Sequence, residues 1–493
     1  MNELSYVDGI RLIRHPGEQT HTDLTLTFGV GARDETLRTV GVAHLLEHLV
    51  MGQARRTPIE IQAMVDLTTT NFAASGSPDR VAAFAEAICA GLTAPPVDRL
   101  SVEVGVLAAE DGWSAAPLVA SMLNTRYGAR GPGLAWLEGA GFDRLTASHV
   151  IDFARTWFTK ANALLQITGP MPSGLKFDLP DGPAPVRSIA PGRLLDGPSA
   201  VPGDIPGAAV MLRLPVGDGA RVPSRVAEVL RDRIEEECRH IGGHSYEVDA
   251  DSVSAGDGFI EWVVYAEARE GSSRAVAACV AAAVRDLAAN GPTEAEMARV
   301  MERLDEDLSG PDAVLGPVYA AAMREILGEP AAVPLDPELA RAVSAREIAA
   351  VLTEALPTVV CCGYDEGFEE LVAAGFQPAL PCPVLSAVPS GEVFKPIMAA
   401  RVFARELRNT KLVLTEDGLV MSDEDGIHEV RWDDVVGVMR TADATVVFGG
   451  SGCSIPLVDG LFKGGARVLE ELRRRVSDDL WYAESALGSD SAH

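Results

Sequence analysis

The segment GVAHLLEHLVMGQ, residues 41–53, places two histidines and a glutamate within five residues of an otherwise apolar run. On a helix His44 and His48 stand at i and i+4 and share a face, with Glu47 beside them. Two imidazoles so spaced can hold a divalent ion, and a neighbouring carboxylate can take a proton from a water at that ion. This is the H-x-x-E-H arrangement, the inverse of H-E-x-x-H. Zinc suits neutral imidazole and carboxylate donors, and a catalytic site uses three protein ligands and one water. A third ligand must come from farther along the chain. The stretch RLSVEVGVLAAEDGW offers Glu103 and Glu110, seven residues apart on one predicted helix. That spacing is close to two turns, so both carboxylates share a face; either could reach the ion while the other orients a ligand. A pair of exposed histidines on a wet helix is the plain alternative. The apolar surroundings and the carboxylate between the rings argue against it.

The elements that must position these groups fall into three blocks. Pro/Gly-rich stretches at about 169–207 and 376–396 read as linkers, because such residues do not continue helices or central strands. Before the first linker, DLTLTFGVG alternates like a half-buried strand, VGVAHLLEHLVM and further segments read as helices, and ALLQITG closes as a strand. The second block repeats this order, from the strand AAVMLRLPV through several helices to the strand TVVCCGY. The two suggest a duplication of pattern. The third block carries short strand candidates, TKLVLTE through CSIPLVD, and the amphipathic helix LFKGGARVLEELRRRVSDDL. The expected fold is α+β: two similar αβ half-domains, each an antiparallel-rich sheet with helices on one side, then a small β-rich domain with a C-terminal helix. The expected bounds are 1–185, 196–380 and 393–485, with a disordered tail over 486–493.

A chain of 493 residues is long enough for two to four domains. The net charge of −29 argues against nucleic acid or an anionic lipid surface as the main partner and is compatible with a basic peptide. Seven scattered cysteines without a C-x-x-C pair read as small buried residues in a reducing cytoplasm. No signal-like N-terminal segment and no apolar run of membrane-spanning length is visible, so cytoplasmic localisation without integral membrane association is expected.

The run TLTFGVGARDETLRTVGVAHLLEHLVMG resembles the pitrilysin, insulysin and mitochondrial processing peptidase family of inverzincin zinc peptidases. That family has a strand, then G-x-R-x-E, then G-x-A-H-x-x-E-H. The resemblance implies a Zn2+-dependent endopeptidase with His44, His48 and Glu110 as ligands, Glu47 as general base and Glu103 as assisting acid. TNFAAS resembles the family's N-A-x-T-S edge strand, which would put Asn71 and Ala73 beside a bound peptide. The piece between Ala63 and Asn71 is shorter than usual in the family. A second half-domain in the family supplies an Arg and a Tyr seven apart, matched by Arg239 and Tyr246; they would hold a substrate carbonyl or oxyanion. His240 and His244 nearby are split by Gly242 and Gly243, which favour a turn, and read as non-ligands. The family encloses its substrate with four half-domains; two here imply a homodimer, or a heterodimer with a paralogous peptidase subunit. The substrates implied are peptides or unfolded segments such as leader or targeting peptides. The alternative is a catalytically silent peptide-binding or scaffold subunit. The third block resembles a pleckstrin-homology-like domain, implying an interaction or dimerisation module.

Overall fold

In Thr22–Phe28 the side chains of Leu24, Leu26 and Phe28 point to one face and are buried there, as the period of a strand requires. Around this strand a computed structural model describes residues 4–17, 19–54, 57–110, 115–137, 144–183, 185, 187, 195, 197–217, 219–254, 257–310, 312–331, 333–380, 382–424 and 426–483. The expected disordered tail, 486–493, lies outside the described residues, as do parts of the first linker.

The first block contains strands β1 (Leu4–Val7), β2 (Ile10–His15), β3 (Thr22–Phe28), β4 (Glu60–Val65), β5 (Thr70–Gly76) and β6 (Ala163–Thr168). Its helices are α1 (Val42–Ala54), α2 (Pro78–Thr93), α3 (Leu100–Leu107), α4 (Pro117–Tyr127) and α5 (Ala147–Trp157). The sheet runs β1-β2-β6-β3-β5-β4, with β2 and β6 parallel and the other pairs antiparallel.

The second block contains β7 (Ser199–Gly203), β8 (Gly207–Pro215), β9 (Val248–Ser254), β10 (Phe259–Glu267), β11 (Val360–Tyr364) and β12 (Gln377–Pro378). Its helices are α6 (Val222–Ile234), α7 (Ser273–Asn290), α8 (Glu294–Ser309), α9 (Asp312–Leu327), α10 (Pro337–Arg341), α11 (Ala345–Ala355) and α12 (Glu366–Ala373). Its sheet runs β12-β7-β11-β8-β10-β9, with β7 and β11 parallel in the matching place; the outer strand β12 also runs parallel to β7, where β1 runs antiparallel to β2. The sequence pattern of duplication is therefore also a duplication of strand order over five strands, the sixth, at one edge, coming from the start of the first block and from the end of the second.

Helices lie on both faces of each sheet rather than on one side as expected, because each block lends one helix to the other. On one face of the first sheet Leu26, Phe28 and Phe72 pack with Leu45, Leu46 and Leu49 of α1 and with α2 and α5. On the other face Ile13 and Leu164 meet Ala322, Met323 and Ile326 of α9, which belongs by sequence to the second block. Reciprocally, Leu118, Val119, Met122 and Leu123 of α4 pack on Ala209, Met211, Val263 and Tyr265 of the second sheet. The opposite face of β8, with Val210 and Leu212, receives α6, α7 and α11. Being covered on both sides explains why β8 is buried from Gly207 to Leu214 and reads as a continuous apolar run rather than an alternation.

The third block has strands β13 (Glu392–Phe394), β14 (Lys411–Leu414), β15 (Gly418–Ser422), β16 (Ile427–Arg431), β17 (Val435–Arg440), β18 (Ala444–Gly449), β19 (Ser454–Val458) and β20 (Trp481–Ala483). Helices α13 (Met398–Phe403) and α14 (Gly465–Arg475) complete it. Two four-stranded sheets, β13-β14-β15-β16 and β19-β18-β17-β20, enclose one core with Val468 and Leu472 of α14. The block docks on the first: Val436 and Phe448 pack on Leu37, Val40 and Leu134, and Arg130 pairs with Asp434 at 2.8 Å. Among the described residues no helix is long and apolar enough to cross a membrane.

Candidate metal and peptidase site

The first half of the H-x-x-E-H segment is held by a carboxylate that sequence reasoning left without a role. Glu35 accepts hydrogen bonds from the backbone N–H groups of Gly41 (2.7 Å) and Ala43 (2.9 Å), in the opening turn of α1. These donors have no partner inside the helix, and a negative charge there meets the positive end of the helix dipole. Gly41 has φ +87°, a conformation that L side chains rarely adopt, so the chain can turn sharply into the helix. The preceding loop is fitted closely: a Cβ at Gly31 would lie 2.2 Å from the Asp66 carbonyl oxygen, where the β4–β5 turn passes. Arg33, buried beside it, donates to the Ser254 carbonyl at 3.3 Å and pairs with Glu329 at 3.9 Å, tying the helix entrance to the second block.

On α1 the rings of His44 and His48 sit 4.9 Å apart at 79° to each other. Glu47 Oε2 lies 3.9 Å from His44 Nε2 and 3.7 Å from His48 Nε2. A donor atom from each of the three residues falls within 4.8 Å of the others, close enough for one cation. Burial first, and the neighbouring His48 charge second, hold the His44 imidazole below its ordinary pKa, against an opposing pull from Glu110. The ring is thereby biased toward the neutral form that offers a lone pair.

Glu103 and Glu110 both reach His48, from opposite sides. Glu103 Oε2 lies 3.7 Å from Nδ1, and Glu110 Oε2 lies 3.1 Å from Nε2. The expectation that the two share one helical face is corrected. Helix α3 ends at Leu107, and the chain tightens into i→i+3 bonds, Ala109 N–H to Val106 (3.0 Å) and Glu110 N–H to Leu107 (3.1 Å). Glu110 thus leaves the helical register and sits with its side chain 45% exposed, whereas the Glu103 side chain is 1% exposed. Arg99 grips Glu103 Oε1 through two nitrogens, at 2.7 and 3.2 Å. Glu103 Oε2 and His48 Nδ1 remain buried without a hydrogen-bond partner, aimed at each other. A metal bound at Nε2 would draw such a pair together, since a ligating imidazole donates through its other nitrogen to a carboxylate. The cluster whose donor atoms all lie within 4.8 Å of one another is His44, Glu47 and His48; Glu110 is not in it and reaches it through His48. Two imidazoles with carboxylates beside them are donors that suit a zinc ion.

One other expectation changes with the strand order. Asn71 and Ala73 lie on β5, and β5 is an interior strand, paired with β3 on one side and β4 on the other. The expected peptide-binding edge at TNFAAS is therefore occupied by this chain itself. Asn71 turns its amide to Thr27 (2.7 Å) and Thr69 (3.1 Å). The outer edge belongs to β4, which pairs only with β5 among the described residues. Between Ala63 and Asn71 the chain makes a tight turn at Asp66, whose Oδ1 accepts from Thr68 N–H and Thr69 N–H, both at 2.6 Å.

Arg239 sits in a π-helical extension of α6, Glu235–Ile241, and pairs with Glu235 at 3.0 Å. Tyr246 lies two residues before β9 and is 65% exposed; a hydrogen bond to Glu267 raises its pKa. Both therefore meet partners of their own block. The helix stop expected at Gly242–Gly243 is present: Gly242 caps the π segment and Gly243 has φ +62°. His240 and His244 are not part of a metal-sized cluster among the described residues.

No protein-family model matches the sequence, and no curated protein matches it. Solved structures do match. A protease from Helicobacter pylori superposes with TM-score 0.56 at 15% identity, covering 74% of this chain and 100% of its own. A peptidase M16 inactive domain from Pseudomonas fluorescens gives TM-score 0.54 at 15% identity, covering 73% of this chain and 97% of its own. Pitrilysin gives TM-score 0.51 at 14% identity, covering 84% of this chain and 52% of its own. The chain thus has the fold of M16 peptidases, and that fold carries a His44–Glu47–His48 cluster able to hold a metal.

Proposed function

We propose that this chain is a zinc-dependent endopeptidase acting on peptides or unfolded segments, leader or targeting peptides among them. The observation that carries the reading is the meeting of Glu110 Oε2 with His48 Nε2, beside His44 and Glu47, with Glu103 behind the ring. His44 and His48 offer imidazole nitrogens and Glu110 a carboxylate oxygen as ligands. Zinc, when bound, would supply Lewis-acid activation of a water and of the scissile carbonyl. Glu47 takes the proton of the attacking water and returns it to the leaving amine. Glu103, itself held by Arg99, keeps the His48 ring in the tautomer that leaves Nε2 free to ligate.

The peptide adds as a strand along β4, where backbone bonds would give affinity and side-chain pockets selectivity. The net charge of −29 suits a basic peptide. Arg239 and Tyr246, on the surface of the second block, would face the metal site of another subunit and stabilise the oxyanion there. That requires a dimer of this chain or a pairing with a paralogous subunit. The third block, with two sheets and a closing helix, reads as a pleckstrin-homology-like interaction module. We place the protein in the cytoplasm.

The test is Glu47→Gln. Zinc content should stay at the unsubstituted level while hydrolysis of an unstructured peptide falls by about 100- to 10,000-fold, the contribution of a positioned general base. Zinc bound by the unsubstituted chain without cleavage of any peptide would favour a silent peptide-binding subunit instead.

A further inference from the structure

Three segments far apart in sequence bring sulfur and imidazole donors together in the third block. Cys382 comes from the Pro/Gly-rich linker, His428 from β16 and Cys453 from the turn before β19. Donor atoms of all three fall within 4.8 Å of one another, and Cys382 Sγ lies 3.2 Å from His428 Nδ1. None of the seven cysteines is bridged in a disulfide. On the far side of the ring, Asp423 Oδ1 stands 3.9 Å from His428 Nε2. Cys453 is buried and donates to the Pro383 carbonyl at 3.3 Å, while Cys382 and His428 are half-buried at the rim.

We propose that Cys382, His428 and Cys453 form a second divalent-metal site, distinct from the His44 cluster, and that its ion is zinc. Two thiolates and one imidazole are donors that tetrahedral zinc favours, and separations of 3–4 Å between donors are what bonds of about 2.0–2.3 Å demand. Binding at Nδ1 leaves Nε2–H to donate toward Asp423, the carboxylate–imidazole pairing that orients a ligating ring. Each thiol gives up its proton to solvent as its sulfur becomes a ligand. The half-exposed rim at Cys382 leaves the fourth position to water.

The site would act as a staple. At the end of the second sheet Ala379 N–H donates to the Ala200 carbonyl, at 2.8 Å. Three residues later Cys382 would be tied to β16 and to the β18–β19 turn, next to the backbone bond from Leu385 N–H to Ile427 (2.7 Å). A metal there would fix where the chain leaves the second block relative to the third, a connection that Pro-rich backbone cannot hold by hydrogen bonding.

Cobalt separates this site from the other, because only this one contains sulfur. Fully reduced, metal-free full-length protein titrated with Co2+ should develop a near-ultraviolet thiolate-to-cobalt charge-transfer band. The band should persist in His44→Ala and fall to background in Cys453→Ser and in His428→Gln, each losing one bound ion per chain. Absence of the band from the unsubstituted protein at saturating Co2+ would overturn the proposal. So would a Cys382–Cys453 disulfide found by peptide mapping of protein alkylated at lysis.

Discussion

His48 is addressed at both ring nitrogens, by Glu103 at Nδ1 and Glu110 at Nε2, and the two carboxylates differ in ways that assign them different work. Glu103 is buried and clamped by Arg99; Glu110 is half in solvent and free to meet an ion. Substituting Glu103 by Gln removes the charge that balances a metal-bound imidazole while keeping the shape. Zinc affinity, read by competition with a chromophoric chelator, should fall about 10- to 100-fold, the usual effect of losing such an outer partner. Glu110→Gln, which removes a direct ligand in the proposed site, should lose more. If the two variants bound zinc equally, the division of roles would fail.

At the scale of the element, α1 depends on an acid that precedes it. Removing the Glu35 carboxylate leaves the Gly41 and Ala43 N–H groups without their acceptor in a buried place. Glu35→Ala should cost about 1–2 kcal/mol in urea unfolding, the range for loss of a helix N-terminal acceptor. A second acid stabilises α8. Burial opposes the Glu296 charge, but hydrogen bonds from Arg233 and from the Thr293 N–H win, and its pKa lies below the ordinary carboxylate value. The sign follows from the depressed pKa: the contribution is present above the unfolded value near 4.5 and is lost as pH falls through the folded one. Stability measured against acidification should therefore drop less steeply in Glu296→Gln than in the unsubstituted protein. The same scale marks how far local pattern reaches. The i, i+4 histidines and the strand of Leu24, Leu26 and Phe28 were legible because helix and strand periods are set by the backbone. The end of α3 was not, because Ala108 and Ala109 are good helix formers and only the tightened i→i+3 turn reveals the stop.

For the whole molecule, the exchange of α4 and α9 makes each block part of the other's core, so the two sheets should unfold together. Beyond the chain, the reading of Arg239 and Tyr246 as groups serving another subunit makes a mixing prediction. Tyr246→Phe alone should lower turnover about 100-fold or more, as loss of an oxyanion donor does. Combined with Glu47→Gln chains and allowed to exchange, it should recover about a quarter of full activity, since half the dimers would be mixed and each would hold one intact site. No recovery, with exchange verified by mass-tagged subunits, would confine the machinery to a single chain.

By itself the sequence determined what depends on near neighbours: helices and strands from their periods, the face of α1 that carries His44, Glu47 and His48, the Gly-Gly stop after His240, and the repeated order of elements in two blocks. The tertiary structure alone decided that β4 rather than β5 is the sheet edge, that Glu103 and Glu110 approach His48 from opposite sides, that helices cross between blocks, and that Cys382, His428 and Cys453 meet. The reason is physical. Periodicity is written in successive dihedral angles, whereas strand order and the convergence of distant side chains are chosen by burial and pairing across the whole fold, which leave no local mark.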